Sequence, residues 1–198
     1  DSNHNINSID FIESTFELIT KLKENLNKRM LVLCTSYKQI SDFKNISNNS
    51  NMLFQDKNSS KQILLDKYLN HKNSVLFGTS SFWEGIDLPD DKLEILVIIK
   101  VPFSNPYNPI VQAKIDTYIA KQLDPFMDYQ LSEAILKLKQ GIGRLIRQQS
   151  DKGICILADP RILKKRYGEV ILDSLPASYS QYKHYSTILH ETEKFLGT

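Results

Sequence analysis

A chain of 198 residues with 41% hydrophobic residues holds enough apolar material for one α/β domain with a sizeable core, and its formal net charge of +2 does not by itself imply nucleic acid. The sequence shows no uninterrupted apolar run long enough to span a bilayer and no charged-then-apolar signal segment, and a cytoplasmic protein is expected. The cysteines, Cys34 and Cys155, each sit in an apolar strand-like run and form no Cys-x-x-Cys pair, so buried free thiols are expected rather than a disulfide or a metal site. The sequence begins at Asp1 rather than Met, and the expectation is a single domain, residues 1–198, of a longer cytoplasmic protein.

From Ile9 to Leu26, apolar residues recur at helical spacing (Ile9, Phe11, Ile12, Phe16, Ile19, Leu22), which predicts a helix leading into a sheet. Met30-Leu31-Val32-Leu33-Cys34 is a continuous apolar run, as a parallel strand covered on both faces requires, and Thr35-Ser36-Tyr37 follows at its carboxyl end. Open α/β sheets bind ligands beyond the carboxyl ends of their strands, so Thr35 and Ser36 can meet a phosphate there; capping of the next helix by Ser36 is an equally open reading. The Asn- and Ser-rich stretch 45–51 reads as a loop before a short strand over Met52–Gln55, and Lys61 to Leu69 reads as a helix. Val75-Leu76-Phe77 is a compact strand, and the β-rich runs Leu93 to Ile99 and Gly153 to Ala158 are both expected as central strands. Between those two, Lys100 to Pro109 carries Pro102, Pro106 and Pro109 and is expected to be an extended loop. The stretch from Ser180 to Leu196 reads as a closing helix.

A long helix is predicted from near Leu131 through Arg147, with Leu131, Ala134, Ile135, Leu138, Ile142, Leu145 and Ile146 as its apolar stripe. Gln140, Arg144 and Arg147, at spacings i, i+4 and i+7, fall together on the opposite side, where forked donors suit phosphate oxygens. An ordinary solvated face fits the same periodicity. Gly141 and Gly143 weigh against that plainer reading, because each costs a helix about 1 kcal/mol relative to Ala and both are expected to admit close backbone approach. Basic residues are concentrated around this stretch, where Lys137, Lys139, Arg144, Arg147, Lys152, Arg161, Lys164, Lys165 and Arg166 outnumber Glu133, Asp151 and Asp159.

Gln140-Gly141-Ile142-Gly143-Arg144-Leu145-Ile146-Arg147 matches Gln-x-x-Gly-Arg-x-x-Arg and resembles motif VI of superfamily-two helicases, most closely in the DinG/XPD branch, where an Asp-x-Gly turn like Asp151-Lys152-Gly153 follows. Upstream, Thr79 and Trp83-Glu84-Gly85-Ile86-Asp87 resemble motif V of the same branch. Val32 to Tyr37 resembles motif IV, Lys100-Val101-Pro102-Phe103 its Pro-Phe segment, and Tyr167-Gly168 with Ser174-Leu175-Pro176 its usual ending. Ser132 stands where relatives often have Pro before the motif VI helix. The resemblance covers most of the chain and implies an α/β, RecA-like fold of the P-loop NTPase type, a mostly parallel sheet sandwiched between helices.

It further implies ATP contacts from Gln140, Gly85, Asp87, Arg144 and Arg147, with Arg147 and Arg144 as the catalytic arginines. DNA contacts would come from Thr35, Ser36, Tyr37, Thr79, Ser80 and Lys100. Turn capping by Asp87 and a core position for Trp83 are the plainer alternatives. No Gly-x-x-x-x-Gly-Lys-Ser/Thr loop and no Asp-Glu-x-His string is present, so ATP and Mg²⁺ would be held mainly by a first RecA-like lobe, with no metal ligands in this chain. The resemblance thus implies half of an ATP-dependent helicase that grips single-stranded DNA. The alternative is an ATP-sensing, DNA-holding module that regulates a fused DnaQ-like 3′-5′ exonuclease, as in some bacterial DinG-type proteins.

Overall fold

The computed structural model describes residues 8–47, 51–79, 93–146 and 151–197. They fall into two compact units, the first within Asp1–Lys100, Gly143–Asp159 and Ser180–Thr198 and the second within Val101–Ile142 and Pro160–Tyr179.

The first unit is built on a parallel sheet of β1 (Met30–Cys34), β2 (Leu53–Phe54), β3 (Val75–Thr79), β4 (Ile95–Ile98) and β5 (Ile154–Leu157), in the order β2-β3-β1-β4-β5 among the described residues. Its helices are α1 (Ile9–Asn25), α2 (Tyr37–Ile46), α3 (Lys61–Leu69) and α8 (Tyr185–Leu196). The uninterrupted apolar run of β1 is explained by its place: both edges are paired, with β3 and with β4, and side chains on both faces are covered. Met30, Val32, Val75, Phe77, Ile95 and Val97 meet Phe11, Ile19 and Leu22 of α1, Phe43 of α2 and Leu196 of α8 in one cluster, while Leu31, Leu76 and Leu96 are buried on the alternate positions. Phe77 is the aromatic hub, with ring centroids 4.7 Å from Phe54, 5.2 Å from Phe43 and 6.4 Å from Phe16. At the amino end of the sheet, Glu94 accepts the Arg29 N–H at 3.1 Å and pairs with Lys28 at 2.8 Å, and the Arg29 guanidinium donates to the carbonyl of Leu69 at 3.1 Å.

The second unit is helical. Asn108 caps α4 (Pro109–Ala120) by accepting the Ile110 N–H at 2.9 Å, with Pro109 at the first helical position. The helix closes in a Schellman turn: Leu123 donates to Tyr118 O, Gln122 to Ile119 O, and Gln122 takes the left-handed conformation at φ 57°. A π-helix at Pro125–Leu131, capped by Asp124, runs directly into α5 (Ser132–Leu145), which belongs to this unit up to Ile142 and to the first from Gly143. The helices α6 (Arg161–Lys164) and α7 (Tyr167–Ser174) complete it. They cross so closely that a Cβ on Gly168 would overlap the carbonyl of Ile162.

Several expectations change. Among the described residues the run from Gly153 to Ala158 is an edge strand, not a central one: β5 pairs there with β4 alone, and of its residues only Ile156 is buried. The Met52–Gln55 strand shrinks to Leu53–Phe54. The motif-bearing helix stops at Leu145, so Ile146 leaves the predicted stripe and is exposed, and Ile135 is only half-buried; Leu131, Ala134, Leu138, Ile142 and Leu145 are buried as expected. Because the π-helix feeds α5 without a break, Ser132 is not a helix start. It donates its N–H to Tyr129 O, a bond that Pro could not make. Cys34 is buried, whereas Cys155, on the edge strand, is half-buried; both thiols are free.

Phe77→Ala is expected to destabilise the chain by about 3–5 kcal/mol, since the cavity would lie against three other rings. Ile63→Ala, at a side chain 58% exposed, should change stability by less than ~0.5 kcal/mol. Urea denaturation of both variants measures the contrast.

Candidate nucleic-acid interface

Parallel strands deliver their carboxyl ends to one edge, and the register fixes which residues meet there. Cys34 pairs with Thr79 and Leu33 with Ile98, and the Ile99 N–H donates to Leu33 O at 3.1 Å. Thr35 after β1, Thr79 at the end of β3 and Lys100 after β4 therefore stand on adjacent chain ends, with strand axes about 4.8 Å apart. The chain leaves β1 towards β2 and leaves β4 towards β5, so the order reverses between β1 and β4. A ligand crevice belongs at such a reversal, and Thr35–Tyr37 and Lys100 border it.

Two buried glutamines hold this edge in shape. Ser36 caps α2 by accepting the Gln39 N–H at 3.2 Å, and the Gln39 carboxamide in turn accepts the Thr35 N–H at 3.0 Å. The Gln55 carboxamide oxygen accepts both the N–H and the hydroxyl of Thr79, at 2.8 and 3.1 Å, and its NH₂ donates to the Tyr37 hydroxyl at 3.2 Å. The capping reading of Ser36 is thus realised for its oxygen, which leaves the hydroxyl proton as the group it can offer a ligand. Thr35 and Ser36 are exposed, Tyr37 and Lys100 half-buried, and Thr79 is buried with its hydroxyl engaged by Gln55. Gln39 had a sequence signal, since Ser36-Tyr37-Lys38-Gln39 has the spacing of a capping box. Gln55 had none; it follows a two-residue strand and reaches its partners only through the tertiary fold.

With the Thr35 and Thr79 N–H groups engaged by the two glutamines, this edge carries the hydroxyls of Thr35, Ser36 and Tyr37 and the Lys100 ammonium, a set suited to positioning phosphates rather than to breaking bonds. Burial raises the Cys34 thiol far above its usual range, with Lys100 pulling it partly back, and burial pushes the Cys155 thiol up to about 12. Both stay protonated near neutral pH and supply no thiolate nucleophile or metal ligand. Among the described residues, no group of three or more His, Cys, Asp and Glu is placed to hold a metal ion, and no helix is long and apolar enough to cross a membrane.

The helix α5 carries the other candidate set. Gln140 is exposed and Arg144 half-buried, one turn apart on one face. Gly141 is buried, in keeping with close approach, but a Cβ on Gly143 would meet nothing within 4 Å among the described residues, so the packing expected at that glycine is not found. Ser80, Trp83, Gly85, Asp87 and Arg147 lie outside the described residues.

The Helicase C-terminal domain family matches residues 19–178, a span that includes β1 through α7. The chain is 38% identical over 177 residues to the ATP-dependent DNA helicase YoaA of Haemophilus influenzae, covering 88% of this chain and 28% of that protein. It is 34% identical over 176 residues to the 3′-5′ exonuclease DinG of Bacillus subtilis, covering 85% and 19%. A solved XPD helicase shares the fold at a TM-score of 0.64 and 23% identity, over 91% of this chain and 33% of that one. The chain spans 28% and 19% of the length of these two curated relatives. The expected α/β parallel sheet with flanking helices and the DinG/XPD resemblance both hold, and the chain belongs to the helicase C-terminal domain family.

Proposed function

We propose that this chain is the second RecA-like lobe of a DinG/XPD-like, ATP-dependent DNA helicase. The observation that carries the reading is the convergence of Thr35, Thr79 and Lys100 on one sheet edge, braced by Gln39 and Gln55, in a chain of this family. Thr35, Ser36, Tyr37, Ser80 and Lys100 position the backbone of a single strand, while Thr79, expected from the sequence as a further contact, gives both its N–H and its hydroxyl to Gln55 and braces that edge from beneath. Gln140, Gly85, Asp87, Arg144 and Arg147 face ATP, whose β- and γ-phosphates and Mg²⁺ are held mainly by the first RecA-like lobe. Arg147, assisted by Arg144, stabilises the charge that grows on the transferred phosphoryl group. Closure on ATP and reopening after hydrolysis shift the grip on the strand.

A second reading is favoured by the Bacillus subtilis relative, which is named a 3′-5′ exonuclease. In it the lobe senses ATP and holds DNA for a fused nuclease without unwinding. Strand displacement by the full-length parent separates the two: ATP-driven separation of strands supports the motor, and ATP-modulated nuclease activity without separation supports the regulator.

In the full-length parent, Arg147→Ala is expected to slow single-turnover ATP hydrolysis by about 10³- to 10⁵-fold while ATP binding is retained, and Arg147→Lys to restore little, because a point charge does not reproduce a planar fork. Equal hydrolysis by wild type and both variants would remove Arg147 from the mechanism. Gly143→Ala separates fold from function in the opposite direction. With room for a Cβ and a better helix former in place, thermal stability should hold or rise by up to about 1 kcal/mol, whereas parent ATP hydrolysis should fall about ten- to a hundredfold if the approach admitted at Gly143 is to nucleotide or partner lobe. Gln55→Leu strands the Thr79 N–H and is expected to cost about 1–3 kcal/mol in urea denaturation and to weaken single-strand binding, read by fluorescence anisotropy.

A further inference from the structure

The core of the second unit is made by Tyr129, Leu131, Ala134, Leu138, Ile162 and Ile171, all buried. Beside it stands an aromatic group that behaves differently. Phe103, Phe126 and Tyr167 form a triangle with ring centroids 5.4, 5.5 and 5.3 Å apart, yet each is only half-buried. Phe103 and Tyr167 meet at 84°, so these two rings do not close face to face. The Arg161 guanidinium sits over the Phe103 ring at 5.7 Å, and Lys137 donates to Ser104 at 3.3 Å, next to Phe103 in sequence. Lys164, Lys165 and Arg166, all exposed, occupy the junction of α6 and α7 directly before Tyr167, and from Arg161 to Tyr167 the sequence contains no acidic residue. A purely structural cluster of three rings would be expected to bury them as Tyr129 is buried.

We propose that Phe103, Phe126 and Tyr167, with the Arg161 guanidinium lying on Phe103, form a base-stacking site for single-stranded nucleic acid, and that Lys164, Lys165 and Arg166 hold the flanking phosphates. Every base has a π-face, so rings and a guanidinium plane bind bases with little regard to sequence, and adjacent cations supply the backbone attraction. The site lies wholly within the second unit and uses none of the residues of the sheet edge. It rests on the reading of this chain as a nucleic-acid-binding lobe, and adds to it a contact with bases where the sheet edge addresses phosphates.

The test compares binding of the 198-residue chain to an oligothymidylate and to an abasic strand of equal length and charge, by fluorescence anisotropy. Stacking on one base contributes about 5- to 100-fold in affinity, so the abasic strand should bind more weakly by at least that range, and Phe103→Leu should weaken the base-bearing strand while leaving the abasic strand unchanged. A strand carrying 5-iodouracil, irradiated on the wild-type chain, should crosslink to Phe103, Phe126 or Tyr167, a readout that does not depend on how the variant folds. Salt-sensitive binding that is equal for base-bearing and abasic strands, with no crosslink to the three rings, would overturn it while leaving the nucleic-acid reading intact. Absence of all binding by both this chain and the full-length parent would overturn the two together.

Discussion

The constraint from which the rest follows is the enclosure of β1. Its two edges are paired and Met30, Leu31, Val32 and Cys34 are buried, so the strand has little place for a polar side chain, and the first hydroxyls the chain can present are those of Thr35 and Ser36. The same holds for β3, buried along its whole length to Thr79, and for β4, whose first cation comes at Lys100. A parallel sheet of this kind pushes its chemistry to the carboxyl edge because nowhere else along the strands can tolerate it. It also leaves backbone N–H groups at the ends of its ladders, which must find acceptors when buried. Gln39 and Gln55 supply these for Thr35 and Thr79, so the residues that complete the sheet are the ones that shape the edge.

How much of this was legible depends on what each segment buries. β1 and the helix Lys61–Leu69 could be read closely, because continuous burial and one-sided burial leave different spacings in the sequence. Gly153 to Ala158 was recognisable as a strand but not as an edge strand, since an apolar run reads the same at any position in the order and only the pairing with β4 alone reveals it. The helix Pro109–Ala120 buries none of its residues and so carries no apolar stripe; its one local sign in the sequence is Asn108-Pro109, a cap followed by a preset φ. Ile146 continues the apolar period in sequence, but the helix ends at Leu145.

For the candidate site the division is similar. Thr35, Ser36, Thr79 and Lys100 could be placed from strand ends alone, and the register brings them to one edge. The engagement of the Thr79 hydroxyl by Gln55, and of Tyr37 by the same amide, depends on a contact across 24 and 18 residues of sequence that no local pattern encodes. The aromatic triangle is drawn from residues 103, 126 and 167, which have no common spacing and come together only when the second unit folds.

The π-helix at Pro125–Leu131 has a bearing on how this sequence can change. Its hydrogen bonds reach one residue farther than those of an α-helix, and it joins α5 without a break, so the seven residues act as a gear that sets the angular phase of everything after them. With the π winding otherwise kept, removing or adding one residue there would turn the following helix by roughly 100°. Leu138 and Ile142 would swing out of the core while Gln140 and Arg144 left their face together. In a segment outside the sheet, where length variation is ordinarily tolerated, an insertion or deletion would act as a rotation applied at a distance, so its length is as constrained as the residues that it orients.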